Sequence, residues 1–222
     1  MIKVGFPDGN EIKYDDGITP YEIAKKISPA LAREILSAEY NGKTIELRTQ
    51  LFKDGNIKFF KWEDQEGKMA FWHSTAHLLA QVILNLYPDS KLTIGPAIEN
   101  GFYYDFSREK PFTLEDLDKI EKKMHQIIDR GDAFEREVWS REAAVEYFSS
   151  IGEVYKSEII GDLPAGEEIT IYKQGKWMDL CRGPHLPTTK HIGKSFKLMK
   201  VAGAYWRGDE KNEMLTRIYG TV

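Results

Sequence analysis

The chain has 222 residues, of which 41% are hydrophobic and 30% charged, and its formal net charge is −4. This length is enough for one large domain or two small ones with buried cores, and the composition excludes a disordered chain. The negative balance argues against simple coating of a nucleic-acid backbone, and the single cysteine, which has no partner for an internal disulfide, favours a reducing cytoplasm.

The first sixty residues predict a small β-grasp domain. Residues 2–6 and 11–14 alternate in hydropathy around Asp8-Gly9, a strong hairpin turn. Thr19 and Pro20 then begin a helix, as cap and first helical residue, and short strands fit 38–40, 43–47 and 57–62. We place the domain boundary in the charged linker that follows, which predicts one domain over 1–62 and a second over 63–222.

The second domain begins with a predicted helix over 69–86 that ends at Tyr87-Pro88. Its most apolar run, 78–86, is interrupted by Gln81 and Asn85 and is too short to cross a membrane. A turn at 94–96 and a strand over 101–106 follow.

Two capped helices are predicted next in this α+β pattern. Thr113 and Asp116 resemble a capping box, and Gly131 closes that helix. A strand over 134–138 leads to Ser140, a good N-cap for another helix. From Val154 onward the pattern predicts mostly short strands and turns. The stretch from 190 to the end holds seven Lys and Arg against three acids, so either a local basic surface or ordinary solvated charges fit it.

Two short motifs hold three of the five histidines and the only cysteine. His73 and His77 are four residues apart, so a helix places both on one face. Cys181 and His185 flank a Gly-Pro turn that can fold thiol and imidazole together. The four side chains suit tetrahedral zinc, although two helix histidines satisfied by solvent or backbone would also explain the first motif. A metalloprotease is disfavoured because its general base Glu would stand where Ser74 is.

The motifs also resemble a known family, the bacterial threonyl-tRNA synthetases. The residues that carry the resemblance follow in the family's order: His73-Ser-x-x-His77-Leu-Leu, Gly95-Pro96, Asn100-Gly-Phe-Tyr-Tyr104-Asp, Asp179-x-Cys-Arg-Gly-Pro-His185 and Gly203-Ala-Tyr-Trp-Arg-Gly-Asp209. The start of the chain is similar to the ubiquitin-like TGS domain of that family. The two histidine motifs are shared with the editing domains of alanyl-tRNA synthetases, and the last run points to the threonyl branch.

The resemblance implies proofreading. A site that accepts threonine cannot strongly reject serine, because one missing methyl group is worth only about 1–3 kcal/mol of discrimination. A second, closely packed site can exclude threonine by size and hydrolyse the wrong ester. The expected reaction is therefore hydrolysis of seryl-tRNA(Thr) to serine and free tRNA.

The same resemblance implies a catalytic set of His73, Lys156, His77, Cys181 and His185. His73 would orient or deprotonate the attacking water, and Lys156 would hold a water or stabilise the oxyanion. His77 and Cys181 would line the pocket, and His185 would close it.

Three further residues are expected to bind substrate. Asp179 would take the seryl ammonium through a charge-assisted hydrogen bond. Tyr104 would stack on the terminal adenosine, or would be a half-buried strand aromatic. Arg182 would contact a phosphate, or would pair with a nearby acid.

No cofactor is expected to be required for editing. Zinc is kept as a candidate ion, with His73, His77, Cys181 and His185 as its ligands, and ATP is not expected. The partners implied are the acceptor end of tRNA(Thr) carrying serine and the catalytic and anticodon-binding domains of a full-length enzyme, with no membrane. We expect a cytoplasmic, monomeric N-terminal fragment without aminoacylation activity, with a free-standing editing protein as the lesser alternative.

Two other functions fit part of the pattern. One is a non-catalytic tRNA-binding or regulatory module in which the TGS-like domain does the work, although such a module has no need of four convergent nitrogen and sulfur groups. The other is a zinc-dependent hydrolase of another ester, which leaves the run from Gly203 to Asp209 unexplained.

Overall fold

A computed structural model describes residues 1–221, and the chain divides into two compact units. The first comprises residues 1–71 together with 183–187, and the second comprises 72–182 and the chain from 188 onward. Helices and sheets are both present in an arrangement that confirms the α+β class. Within residues 1–221, every helix is too short or too polar to traverse a lipid bilayer.

The first unit is a five-stranded mixed sheet with two helices. Its elements are β1 Ile2–Gly5, β2 Glu11–Tyr14, α1 Pro20–Ile27, α2 Pro29–Glu34, β3 Ser37–Tyr40, β4 Lys43–Ile45 and β5 Gly55–Phe60. The strand order is β2-β1-β5-β3-β4, and β1 pairs with β5 in parallel while the other pairs are antiparallel. The hairpin β1-β2 is followed by helix α1, and the last strand, β5, lies at the centre of the sheet beside β1. This is the predicted β-grasp arrangement.

Capping residues explain the helices of this unit. The backbone N–H of Thr19 donates to the Glu22 carboxylate at 2.9 Å, and the Thr19 hydroxyl accepts from the Glu22 N–H at 3.3 Å, which completes a capping box. Ser28 and Pro29 repeat the same pattern of a cap followed by proline and begin α2, a helix that we do not predict from the sequence. The helices cover a core that includes Val4 and Ile23.

The second unit combines helices with two antiparallel sheets. Helix α3, Gln65–Leu86, enters it from the first unit, and the remaining helices are α4 Leu114–Arg130, α5 Arg141–Ser150 and α6 Val154–Asp162. The strands are β6 Lys91–Leu92, β7 Ala97–Ile98, β8 Gly101–Ser107, β9 Phe134–Trp139, β10 Ile169–Gln174, β11 Trp177–Leu180, β12 Lys197–Tyr205 and β13 Met214–Thr221. Short 3-10 helices lie at Thr189–Ile192 and Trp206–Gly208.

The strands form two sheets, in the orders β11-β10-β9 and β12-β13-β8-β6, with β7 pairing to β8. The predicted caps of α4 are confirmed, since the Thr113 N–H donates to Asp116 at 2.8 Å and Gly131 ends the helix with a left-handed φ of 72°. Ser140 caps α5 as predicted, accepting from the Ala143 N–H at 3.1 Å.

One helix is not predicted from the sequence. From Val154 onward the pattern predicts mostly short strands and turns, which holds for the strands β10 to β13, but residues Val154–Asp162 form helix α6. This helix buries Tyr155, Lys156 and Ile160. A lysine on the buried face breaks the apolar periodicity from which a helix is recognised, so its pattern was hidden.

Candidate active site

Helix α3 carries both histidines of the first motif, as predicted, although it begins at Gln65 rather than near 69. One turn separates His73 from His77, so both rings leave the same face. They differ in surroundings, because His73 is partly exposed and His77 is buried. The two imidazoles therefore have different chemistry available to them.

Cys181 lies directly after strand β11 and is fixed by the neighbouring strand β10. Its backbone N–H donates to the Thr170 carbonyl at 3.1 Å, and its own carbonyl accepts from the Thr170 hydroxyl. Its Sγ lies 3.1 Å from Nε2 of His73, at hydrogen-bonding distance, and it too is partly exposed. A thiol and an imidazole from distant parts of the chain thus form an accessible pair.

His77 lies deeper and faces amides and aromatic rings. Its Nδ1 is 3.3 Å from Oε1 of Gln174, and its ring centroid is 4.7 Å from that of Trp177. The pKa of His77 is lowered from 6.5 to about 3, chiefly by burial and then by the nearby charge of His73, while the contact with Gln174 opposes the shift. His77 is therefore a neutral imidazole at physiological pH.

A buried network joins Lys156 on α6, Asp179 on β11 and Tyr104 on β8. The Lys156 ammonium lies 2.9 Å from Oδ2 of Asp179 and donates to the Tyr104 hydroxyl at 3.1 Å. That hydroxyl donates to the same Oδ2 at 3.1 Å, and the Leu180 N–H donates to Oδ1 at 2.8 Å. Three residues predicted for the site from separate motifs thus meet in one cluster.

Burial dominates the electrostatics of this cluster. It raises the pKa of Asp179, while the Lys156 ammonium opposes the rise. It also raises the pKa of Tyr104 well above its usual value, with the Asp179 charge adding to the effect. Asp179 and Tyr104 are 2% and 3% exposed, so in this conformation neither presents a free face to a ligand.

Gly95 makes room for Tyr104. A Cβ at Gly95 would lie 2.0 Å from Cδ2 of the Tyr104 ring, so only glycine lets the ring occupy this place. The ring also stacks on Phe106, with centroids 4.8 Å apart. Tyr104 is therefore a fully packed strand aromatic whose hydroxyl reaches the ion pair.

The remaining two predicted residues, Arg182 and His185, have acidic partners. Arg182 is exposed and forms an ion pair with Glu167, which was one of the two alternatives for it. His185 belongs to the segment 183–187, which groups with the first unit, where it is buried and its backbone N–H donates to the Glu46 carboxylate at 3.2 Å.

Three buried polar residues are not predicted from the sequence. Glu153, at the start of α6, accepts from the Leu92 N–H at 3.0 Å, and burial raises the pKa of its carboxyl. Gln81 and Gln174 bond to each other, and Gln174 also bonds to His77. Gln81 could have been found because it lies four residues after His77 on the same helix face, but nothing in the sequence signals Gln174.

Comparison with known proteins relates both parts of the chain to one group of enzymes. A family model described as the TGS domain matches residues 2–61, and one described as the threonyl and alanyl tRNA synthetase second additional domain matches residues 169–219.

Individual relatives match over nearly the whole chain. The chain is 51% identical to a threonine–tRNA ligase of Phenylobacterium zucineum over 222 residues, all of this chain and 34% of that protein. It is 52% identical to that of Maricaulis maris over 222 residues and, over 96% of the chain, to that of Caldanaerobacter subterraneus. The chain spans about a third of the length of these relatives.

Proposed function

Because the chain belongs to the bacterial threonine–tRNA ligases, whose N-terminal third it matches, we propose that it hydrolyses serine from wrongly charged tRNA(Thr). The threonyl and alanyl second additional domain supports an editing role over residues 169–219. The need is physical, since a threonine site gains only about 1–3 kcal/mol against serine and a second site must remove the error.

One observation carries the proposal, namely the accessible pair of His73 Nε2 and Cys181 Sγ at 3.1 Å. Ester hydrolysis requires a base that can accept a proton from water near neutral pH, and an imidazole suits that task. Both side chains are partly exposed, whereas the Lys156–Asp179 pair and Tyr104 form a buried wall of the same unit. An accessible base and a buried, hydrogen-bonded polar cluster within one unit are features suited to a small polar substrate.

In the proposed reaction, His73 removes a proton from a water as the water oxygen attacks the seryl carbonyl carbon. The ester bond then breaks, the 3′-terminal ribose oxygen of the tRNA leaves with a proton, and serine is released. Cys181 orients His73 through the contact between Sγ and Nε2. His77 and His185 are proposed to line and close the pocket.

Lys156 and Asp179 are proposed to interact with the substrate electrostatically. Lys156 supplies positive charge for the oxyanion, and Asp179 attracts the seryl ammonium. Because the Asp179 carboxylate already accepts from Lys156 and Tyr104, a bound ammonium would have to share Oδ2 with them. Contacts of Tyr104 with the terminal adenosine and of Arg182 with a phosphate would likewise require these side chains to leave their present partners.

The same residues are also candidate ligands for a zinc ion. The sequence offers His73, His77, Cys181 and His185 as its ligands. Within the second unit the structure brings together the nitrogen of His73 and the sulfur of Cys181, which suit this ion, whereas His77 engages its Nδ1 with Gln174. A bound zinc would supply Lewis-acid chemistry. The proposed hydrolysis does not require it, and measuring the metal content of the purified chain, with activity before and after chelation, tests this.

The partners proposed are tRNA(Thr) carrying serine and the further domains of a full-length ligase, with the chain itself monomeric. The test is deacylation of seryl- and threonyl-tRNA(Thr) by the purified chain. Release of serine much faster than threonine is expected.

His73→Ala should abolish release, because the base is removed. His191→Ala is the matched control, since His191 is also partly exposed but bonds to Thr188. Survival of both esters with and without the protein would leave a non-catalytic tRNA-binding module as the better description.

A further inference from the structure

A chain of buried amides runs from the backbone of β10 to His77. The first link is the Gln174 carbonyl oxygen, which accepts a hydrogen bond from the side chain of Gln81 at 2.8 Å. A carbonyl oxygen has no proton to give, so the Gln81 atom that faces it must be the NH2 nitrogen. The Gln81 amide is thereby fixed in one orientation, with its Oε1 on the other side.

The second link passes this orientation to Gln174. Oε1 of Gln81 lies 2.6 Å from Nε2 of Gln174, and an amide oxygen also can only accept. The NH2 group of Gln174 must therefore face Gln81, which leaves Oε1 of Gln174 facing Nδ1 of His77 at 3.3 Å. The polarity of each bond thus follows from the one before it.

We infer that Gln81 and Gln174 are positioning residues that hold His77 as the tautomer with its proton on Nδ1 and its lone pair on Nε2. The opposite tautomer would place a lone pair of Nδ1 against the lone pairs of Gln174 Oε1. Relieving that repulsion would need both amides to rotate, which would set Gln81 Oε1 against the Gln174 carbonyl. All three side chains are buried, so water cannot compensate for either mismatch.

The consequence for the site rests on the proposed function. A His77 with its lone pair on Nε2 accepts a hydrogen bond and cannot donate one from that nitrogen. The chemistry it suits is a donor group, such as the attacking water or the hydroxyl or ammonium of a seryl ester, and because His77 is 3% exposed the ring must become accessible when the ester binds. The buried ring is also held neutral, because burial lowers its pKa.

The tautomer can be measured directly in the full chain without substrate. Long-range proton–nitrogen correlation spectra of protein labelled with 15N in its histidines distinguish a protonated from a bare ring nitrogen, and His77→Gln assigns the signal. For His77 we expect a protonated Nδ1 and an unprotonated Nε2. A protonated Nε2 of His77 in the unmodified protein would overturn the inference.

Gln81→Met then tests this relay, the chain of hydrogen bonds from Gln81 through Gln174 to His77. The change removes the group that orients the Gln174 amide while keeping the side-chain length. Signals of the second tautomer should appear, and seryl-tRNA(Thr) deacylation should fall about tenfold or more. Gln126→Met, the same change at an exposed position of α4, is the control for both measurements and should alter neither.

An unchanged tautomer in a folded Gln81→Met chain would overturn the role of Gln81. If the unmodified chain shows the expected tautomer but hydrolyses neither ester, the proposed function fails while the relay itself stands. The two failures are therefore distinguishable.

Discussion

The ammonium of Lys156 lies 2.9 Å from the carboxylate of Asp179, and the two side chains are only 4% and 2% exposed. One belongs to helix α6 and the other to strand β11, so the pair ties a helix to a sheet. Tyr104 adds a hydrogen bond to each partner. Because every charged atom of the pair has a polar neighbour, the cluster meets the condition under which a buried ion pair is tolerated.

Removing one charge of this buried pair should therefore strongly destabilise the fold. Lys156→Met leaves the Asp179 carboxylate buried without its counter-ion, and we expect the free energy of unfolding to fall by about 3–5 kcal/mol. The double change Lys156→Met with Asp179→Asn removes both charges and should recover part of that loss. Urea denaturation monitored by tryptophan fluorescence provides the measurement.

Lys194 offers a matched control for this change. It pairs with Asp129 at 2.7 Å, but the side chains are 51% and 62% exposed. Lys194→Met should lower the free energy of unfolding by less than about 1 kcal/mol, since exposed pairs contribute little. Equal losses in Lys156→Met and Lys194→Met would contradict the view that burial makes the first pair critical.

Gly95 should be intolerant of a side chain. In Gly95→Ala the new Cβ would meet the Tyr104 ring at 2.0 Å, and we expect a loss of about 1–3 kcal/mol in unfolding free energy as the ring is displaced. Displacement of the ring also disturbs the hydroxyl that contacts Lys156 and Asp179, so deacylation of seryl-tRNA(Thr) should fall with it.

Gly161→Ala is the natural comparison. Gly161 lies in α6 with open space around it, and alanine there should be neutral or should stabilise the helix by up to about 1 kcal/mol. A Gly95→Ala chain as stable and active as Gly161→Ala would show that Tyr104 can move without consequence.

Arg217 depends on the shape of its guanidinium as well as its charge. Its Nε and one terminal nitrogen donate to the two oxygens of the buried Asp105 carboxylate at 2.7 and 2.8 Å, and the group lies 3.7 Å from the centroid of the Tyr103 ring. Arg217→Lys keeps the charge but loses the fork and the stacking, so we expect a loss of about 1–3 kcal/mol by urea denaturation.

The control for that change is Arg136→Lys. Arg136 pairs with Glu168 on the surface, where both side chains are more than a third exposed. Its replacement should change stability by less than about 0.5 kcal/mol. If both lysine variants were equally stable, the forked contact with Asp105 would contribute nothing that a simple point charge does not.

Local signals allowed much of the fold to be predicted from the sequence. The cap at Thr19, the capping box at Thr113, the hairpin at Asp8-Gly9 and the glycine at 131 are formed by residues close in sequence, so they can be predicted from local sequence alone. Helix α6 could not be predicted in this way. Lys156 can be buried on its inner face only because it pairs with Asp179, a residue 23 positions away.

The candidate site was predictable to the same extent. The pairing of His73 with Cys181 follows from two motifs whose residue types are unusual, although only the fold brings Sγ and Nε2 to 3.1 Å. The domain boundary and the individual catalytic roles stay predictions. Gln174 was invisible because a glutamine near a strand end is ordinarily exposed, and only the tertiary structure buries it beside His77.

The low pKa of the buried His77 predicts that the folded chain loses stability as the pH falls. Its pKa is about 3 in the folded chain against 6.5 for an ordinary histidine, so between these values the unfolded chain binds a proton that the folded chain does not. Stability therefore rises with pH through this window, is fully present above about pH 6.5, and is lost as pH falls toward 3. Between pH 7 and pH 5 the loss due to His77 should be about 2 kcal/mol.

The measurement is the free energy of unfolding at pH 7 and pH 5 for the unmodified chain and for His77→Gln. Glutamine keeps a polar group beside Gln174 but does not titrate, so the variant should lose less stability on acidification, by about 2 kcal/mol, while all other groups contribute equally to both chains. The same drop in both proteins would mean that His77 titrates alike in the folded and unfolded states. That result would be incompatible with a buried, neutral imidazole facing Gln174.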